Sequence, residues 1–272
     1  MVKKDLYKEL GRMLLLSAGI YAALFVVLLV VEWFCEPLRG MLLQWDSAAF
    51  VVGIPASVVG TAYVLTIRNP QNYTGFIGGI VMAVLLGTQF ALQGNYDLTF
   101  LQIGIFIPFM VLSLITWRKK LTATTGGAGG ISRPFGHVSP AEVTQATETT
   151  PTTAEPFRPE YLHGWRQGLT LTLALLIIVA DYAFTTLVLN HDAWADQWLL
   201  KLAGAVMIAS SVMANFWLIY QKMDAWIWWV VYSLAGILFY VLLGNIYCIV
   251  LFLFYLVINA SAFFAWQRLR KN

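Results

Sequence analysis

Apolar residues gather into long runs along this chain, separated by short polar breaks. A bilayer core of about 30 Å is crossed by about 20 apolar residues in a helix. Eight runs reach that length: 13–34, 47–67, 74–93, 98–117, 167–189, 198–219, 226–243 and 246–266. Only Gly244-Asn245 joins the last two, so a tight turn is expected there. The pattern predicts an all-α integral membrane protein with eight transmembrane helices. Between the fourth and fifth runs the material changes. Residues 121–160 are rich in Thr, Gly, Pro and Ala, with Gly126-Gly127-Ala128-Gly129-Gly130 and Thr149-Thr150-Pro151-Thr152-Thr153. Too few large apolar side chains lie there to form a core, so a flexible linker is expected.

The seventh run opens with Met223-Asp224-Ala225-Trp226-Ile227-Trp228-Trp229. On a helix the side of Trp226 and Trp229 continues through Ser233, Gly236 and Tyr240. The side of Trp228 continues through Val231, Ala235 and Leu238. The first side is aromatic and polar, the second purely apolar. Such a helix turns one face to an interior site and the other to lipid.

Composition agrees: 59% of residues are hydrophobic and 11% charged, against about 25% charged in soluble domains. Lys and Arg favour the cytoplasmic side of a membrane. With eight spans both termini lie on one side, and 15 of the 17 basic residues then share it. Only Arg39 and Lys201 fall opposite, so both termini are expected in the cytoplasm. The first run is too long for the core of a cleaved signal and is read as a retained helix. Cys35 and Cys248, and likewise His137, His163 and His191, show no metal or redox spacing. No Gly-x-x-x-x-Gly-Lys-[Ser/Thr] phosphate loop is present. No cofactor, metal or nucleic-acid partner is therefore expected, and no reactive cluster supports an intramembrane enzyme.

The two halves echo each other. Arg68-Asn69-Pro70-Gln71-Asn72-Tyr73 breaks the first as Tyr220-Gln221-Lys222-Met223 breaks the second. Each break leads to a helix, an outer turn (Gly94-Asn95-Tyr96-Asp97; Gly244-Asn245) and a final helix. Those helices end in Trp117-Arg118-Lys119 and Trp266-Gln267-Arg268, and Trp117 and Trp266 lie 149 residues apart. Three helices (47–117) thus match three (198–266), with helix 167–189 between them restoring orientation. This parallel 3+1+3 arrangement is of the kind found in small sugar transporters, the full-length SWEET-like layout. Residues 1–46 hold the N-terminal segment, first helix and outer loop. Residues 118–166 form the linker and 267–272 a basic tail.

The paired Trp226-x-x-Trp229, the turn Gly244-Asn245-Ile246-Tyr247 and the closing Trp266-Gln267-Arg268-Leu269-Arg270 resemble the PnuC family of bacterial vitamin transporters. The resemblance covers roughly 47–117 and 167–268. It implies a multi-pass protein of the bacterial cytoplasmic membrane, a homotrimer with one pathway per subunit. It further implies import of nicotinamide riboside by facilitated diffusion, with a cytoplasmic kinase trapping the substrate as its phosphate. Sister groups imply thiamine, riboflavin or a deoxynucleoside as alternatives. Asp224-Ala225 departs from the acidic residue plus Asn that commonly precedes the first Trp in the family. The resemblance assigns Trp226 and Trp229 to stacking on the ligand ring and brings Tyr247 into the candidate site.

Indole is the best side chain for a face-on cation such as a pyridinium. The alternative for any one Trp is the interfacial aromatic belt, and Trp228 is assigned to it. Ser233 and Tyr240 continue the Trp face. Gln89, Gln93, Gln102, Asn215, Tyr255 and Asn259 are candidates for hydrogen bonds to a ribose, because polar groups in a membrane need partners. Each could instead bond a neighbouring helix. Asp181 is the one acid well inside a span. It is either a proton-coupling site or a structural group, paired with Lys201 or protonated. The glycines, Gly53, Gly60, Gly78, Gly79 and Gly87 among them, fit close helix packing, and Pro55 and Pro108 suit kinks.

Overall fold

A computed structural model describes residues 3–36, 47–126, 159–188, 197–244 and 246–271. The helices are α1 (Lys3–Phe34), α2 (Ala48–Ile67), α3 (Gly75–Leu92), α4 (Tyr96–Phe100), α5 (Ile107–Gly126), α6 (Trp165–Leu187), α7 (Trp198–Ile219), α8 (Asp224–Leu242) and α9 (Ile246–Lys271). A π-helical segment, Leu101–Phe106, joins α4 to α5 without a break. Among the described residues, eight helices are long and apolar enough to cross a membrane. They correspond to the eight expected runs, with longer ends: α1 begins ten residues before 13, and α5 carries nine residues beyond 117. Of the expected linker, 121–126 continue α5 and 159–160 pack on the bundle, while 127–158 lie outside the described residues.

α2 and α7 are the most buried spans, and α1 and α6 the least. α1 packs on α2 and α6 on α7, so each outer helix lies against the first helix of the triplet that follows it. α2 also touches α9, and α7 touches α5. Each triplet's last helix therefore reaches across to the other's first.

Two indoles fasten that crossing. Trp117 Nε1 donates to the Leu218 carbonyl at 3.0 Å. Trp266 Nε1 donates to the Arg68 carbonyl at 2.9 Å. Both carbonyls sit at C-terminal helix ends, where the regular backbone ladder runs out of donors, and that of Leu218 also accepts from Gln221 N at 3.0 Å. The rings meet at 6.0 Å, and Phe76 stands edge-on to Trp117 at 4.9 Å. Helices in lipid gain little from the hydrophobic effect against one another, so dispersion and such hydrogen bonds hold the bundle. Hydroxyls inside the spans mostly close on their own helix, as Thr66 does on the Ala62 carbonyl and Ser210 on that of Val206. Between helices, Ser17 donates to the Val58 carbonyl, and Tyr21 shares a hydrogen bond with Thr61.

Turns at the two ends differ in kind. α3 and α8 end in Gly94 and Gly244, whose φ angles of 75° and 68° are left-handed. Glycine reaches that region without Cβ strain, which is why a helix can stop there in one residue. At the end rich in Lys and Arg, the turns are clamped by the segment leading into each outer helix. The α2–α3 turn is held by α1: Asn72 Nδ2 donates to Glu9 Oε2 at 3.0 Å, and Thr74 Oγ1 donates to the Leu6 carbonyl at 3.2 Å. Residues 159–164 hold the α7–α8 turn. Met223 N donates to the Glu160 carbonyl, Leu162 N donates to Asp224 Oδ2, and Lys222 Nζ meets Glu160 Oε2 at 2.8 Å. The Arg270 guanidinium lies over the Tyr161 ring.

Pro108 explains the π segment. Proline has no N–H and its ring crowds the carbonyl four residues back, that of Gly104. The ladder widens just before it, with Ile107 N reaching the Gln102 carbonyl instead. Pro55 sits inside α2 without such a change.

Replacing Trp117 by Phe keeps a ring and removes one of the donors to the Leu218 carbonyl, which keeps the Gln221 N–H at 3.0 Å, so thermal unfolding in detergent should show a loss of about 1 kcal/mol. Trp266→Phe should cost about 1 kcal/mol or less, because its bond is only partly buried and water can replace the donor. The Lys222 ammonium holds the Glu160 carboxyl below its usual range by hydrogen bond and charge. That contact is therefore complete at neutral pH and lost as pH falls through the lowered value. The protection of the Met223 amide, its exchange taken relative to the intrinsic rate at each pH, should fall in acid, and Glu160→Gln should remove that pH dependence.

Candidate functional site

A cavity of about 30 Å³ lies at mid-bundle. α2 contributes Gly60, Tyr63 and Val64, α3 Met82 and Leu86, and the π segment Phe106. α8 adds Trp229 and Tyr232, and α9 adds Tyr255 and Asn259. Both triplets thus line it. The wider π turn matters here because it turns Phe106 inward, where its ring meets Trp229 edge-on at 6.2 Å. Tyr232 meets Trp229 edge-on at 5.4 Å, and Phe252 meets Tyr255 at 5.9 Å. Aromatic rings prefer such edge-to-face contacts because their faces are negative and their edges positive. Among the described residues, no Lys, Arg, His, Asp or Glu lines the cavity.

Asn259 is fixed by α8. Its Nδ2 donates to Ser233 Oγ at 3.1 Å and to the Trp229 carbonyl at 3.4 Å. Ser233 Oγ in turn donates to the Trp229 carbonyl at 2.9 Å. Asn259 Oδ1 and the Tyr63 hydroxyl are buried without a hydrogen-bond partner. Gly60 keeps the wall thin. A methyl group there would stand 2.7 Å from Met82 Sδ and 2.9 Å from the Tyr255 hydroxyl.

All five residues on the Trp226 side of α8 are buried, but they serve different neighbourhoods. Trp229 lines the cavity. Trp226 does not: it lies one turn nearer the basic end, edge-on to Trp266 at 5.4 Å, with its Nε1 unpaired. With Trp117 and Trp266 it makes a sealed indole cluster beneath the cavity, all three fully buried. Ser233 stands behind the wall and orients Asn259. Tyr240 packs on Phe239 and Phe252 in a separate apolar cluster and shares a hydrogen bond with Cys248. Tyr255 and Asn259 line the cavity.

The remaining candidates lie elsewhere. Gln102 is buried on the π segment with its Oε1 unpaired. Gln89 is buried against Gly53, where a methyl group would stand 2.9 Å from its Nε2. Asn215 closes on the Ser211 carbonyl of its own helix. Gln93 is exposed at the end of α3 and accepts from Asn95. The Tyr247 side chain lies outside what is described. Tyr63, Gly60, Met82, Phe106 and Tyr232 are cavity residues that sequence reasoning missed. Tyr63 had a usable signal, a phenol in the middle of the otherwise apolar run 47–67.

A second and larger cavity, of about 590 Å³, opens near the ends of α4 and α6. Asp97 and Asp181 both line it, with Tyr96, Phe100 and Phe184. The expected pairing of Asp181 with Lys201 is not formed. Asp181 turns toward α4 and stands near Asp97 instead. Ion pairs among the described residues include Lys8–Asp5 and Lys222–Glu160.

A model of the family described as nicotinamide mononucleotide transporter matches residues 50–268. The chain belongs to that family. Its members are transporters rather than enzymes, and this chain is a multi-pass membrane protein. The family match takes in every described residue that lines the cavity. The fold is similar to a crystal structure of the vitamin B3 transporter PnuC, with a TM-score of 0.59 and 16% identity. That likeness covers 96% of this chain and 92% of the other. No individually curated protein is similar enough in sequence to count as a match.

A Gly60→Ala variant should fold, because Met82 and the end of Tyr255 can each move aside. Their shift would close the little space present, so ligand affinity measured by calorimetry should fall about tenfold or more while the melting temperature stays nearly unchanged.

Proposed function

We propose that this chain carries a phosphate-free aromatic vitamin, with nicotinamide riboside as substrate, by facilitated diffusion. The observation that carries the reading is the cavity's chemistry. Five aromatic rings and one amide surround it, and no charged side chain among the described residues does. Indole and phenol faces attract a pyridinium cation, most strongly when water is excluded. A phosphate dianion would enter membrane depth with no counter-charge, at a cost of several kcal/mol or about that order. The family's description names the mononucleotide, but this cavity suits the nucleoside.

The same chemistry makes phosphorylation a trap. A kinase on the cytoplasmic side would add the charge that the cavity cannot accept, and uptake would continue without ATP at the carrier. The distribution of Lys and Arg supports placing both termini and the indole cluster on the cytoplasmic side of a bacterial inner membrane. Reciprocal bonds from Trp117 and Trp266 support the parallel 3+1+3 reading. The homotrimer and the kinase rest on the family resemblance. Outward apolar side chains on α1 and α6, such as Leu15 and Leu175, suit contact with lipid or with other copies.

Asp97 and Asp181 favour a second reading, proton coupling. Two carboxylates in one cavity repel each other and can share a proton. In kinase-free liposomes, accumulation of nicotinamide riboside that follows an imposed pH gradient and is lost in Asp181→Asn would establish it. Equilibration without accumulation would leave facilitated diffusion.

Calorimetry on the purified protein should show binding of nicotinamide riboside, and binding of nicotinamide mononucleotide at least about a hundredfold weaker. Trp229→Ala should abolish measurable binding. Equal binding by that variant sinks the site, and tight binding of thiamine, riboflavin or thymidine in place of nicotinamide riboside moves the protein to a sister substrate.

A further inference from the structure

We infer that Asn259 selects a carboxamide over a carboxylate on the ring that the cavity encloses, while Tyr63 binds either group. The inference rests on the vitamin reading above and names which chemical form of the vitamin is taken. Its basis is a matched pair of unpartnered polar atoms in one cavity. Tyr63 is 1% exposed and Asn259 3%, and neither the Tyr63 hydroxyl nor Asn259 Oδ1 has a partner.

The orientation of the Asn259 amide follows from its neighbours. Its nitrogen faces the Trp229 carbonyl, which can only accept. Ser233 has already given its proton to that carbonyl, so Ser233 Oγ can only accept from Asn259. Reversing the amide would set oxygen against two acceptors. Asn259 Oδ1 is therefore a fixed acceptor directed away from α8.

Tyr63 is held as firmly on the opposite wall. Its ring packs on Phe76 at 6.0 Å and passes so close to α3 that a methyl group on Gly79 would stand 3.2 Å from it. The hydroxyl at its end has a proton to give. The unpartnered polar atoms of the cavity are thus a donor from α2 and an acceptor from α9, and no charged side chain among the described residues lines it.

A primary carboxamide satisfies both. Its carbonyl takes the Tyr63 proton and its NH₂ donates to Asn259. A carboxylate has acceptors only. It can use Tyr63, but it leaves Asn259 Oδ1 facing a negative oxygen, which no nearby cation offsets. A ribose hydroxyl is present in both forms of the nucleoside and does not discriminate between them.

The test is calorimetry on the full-length protein with nicotinamide riboside and nicotinic acid riboside. Wild type should prefer the amide by at least about tenfold. Tyr63→Phe keeps the ring and removes a donor that both ligands use. It should weaken both several-fold and leave their ratio unchanged. Asn259→Leu removes the acceptor, so the ratio should fall toward one, with folding checked by thermal melting. A preference that survives Asn259→Leu overturns the inference by assigning it to ligand charge alone. Should Asn259→Leu fail to fold, the wild-type ratio decides, and equal affinities overturn the inference while the vitamin reading stands. Binding of neither ligand defeats both.

Discussion

A polar group placed at membrane depth has no water to turn to, and two indoles settle how this bundle is put together. Trp117 gives its N–H to the end of α7, and Trp266 gives its N–H to the end of α2. Each half thereby gives a side-chain hydrogen bond to a helix-end carbonyl of the other. Neither triplet is complete without the other, and the contact lies directly beneath the cavity. The clamped turns extend the logic. Leu6 and Glu9 hold one turn, Glu160 and Leu162 the other, so the first turns of α1 and the residues leading into α6 join the same end of the bundle.

The frame is shared, but the chemistry is not. At the 149-residue spacing that relates Trp117 to Trp266, Trp229 answers to Ile80, Asn259 to Met110 and Tyr63 to Val212. Only Phe106 and Tyr255 are aromatic in both copies. The cavity draws on α2, α3 and the π segment from one half and on α8 and α9 from the other. On the proposed repeat, the shared packing bonds lie at the helix ends, while the residues that differ lie at mid-helix.

Periodicity and length made the spans legible, because a bilayer demands continuous apolar helices. The side of α8 that faces inward was legible for the same reason: Ser233 and Tyr240 are too polar for lipid, and both are buried. The division of labour between Trp226 and Trp229 was not. Three residues apart on one face, they look equivalent in sequence, yet one helical turn moves Trp226 out of the cavity and onto Trp266. Asn215 was unreadable for another reason. An amide in a span can close on its own helix, and nothing in the sequence separates that case from Asn259, which reaches across to α8. The π segment had a trace in Pro108, but its effect, turning Phe106 inward, depends on the neighbouring helices. Asp181 shows the limit of pairing by proximity in sequence, since its neighbour in space comes from α4.

The size of the central cavity has a consequence for the cell. A space of about 30 Å³ holds a water molecule or two, far less than a ligand pocket of roughly 300 Å³ or more. No column of water can run through Tyr63, Phe106, Trp229 and the indole cluster below them, each of which is almost wholly buried. Packing of this kind gives protons and ions no continuous water to follow between these residues. On the proposed reading, passage is then an event rather than a flow: the solute parts the rings to enter, and its own contacts supply the work.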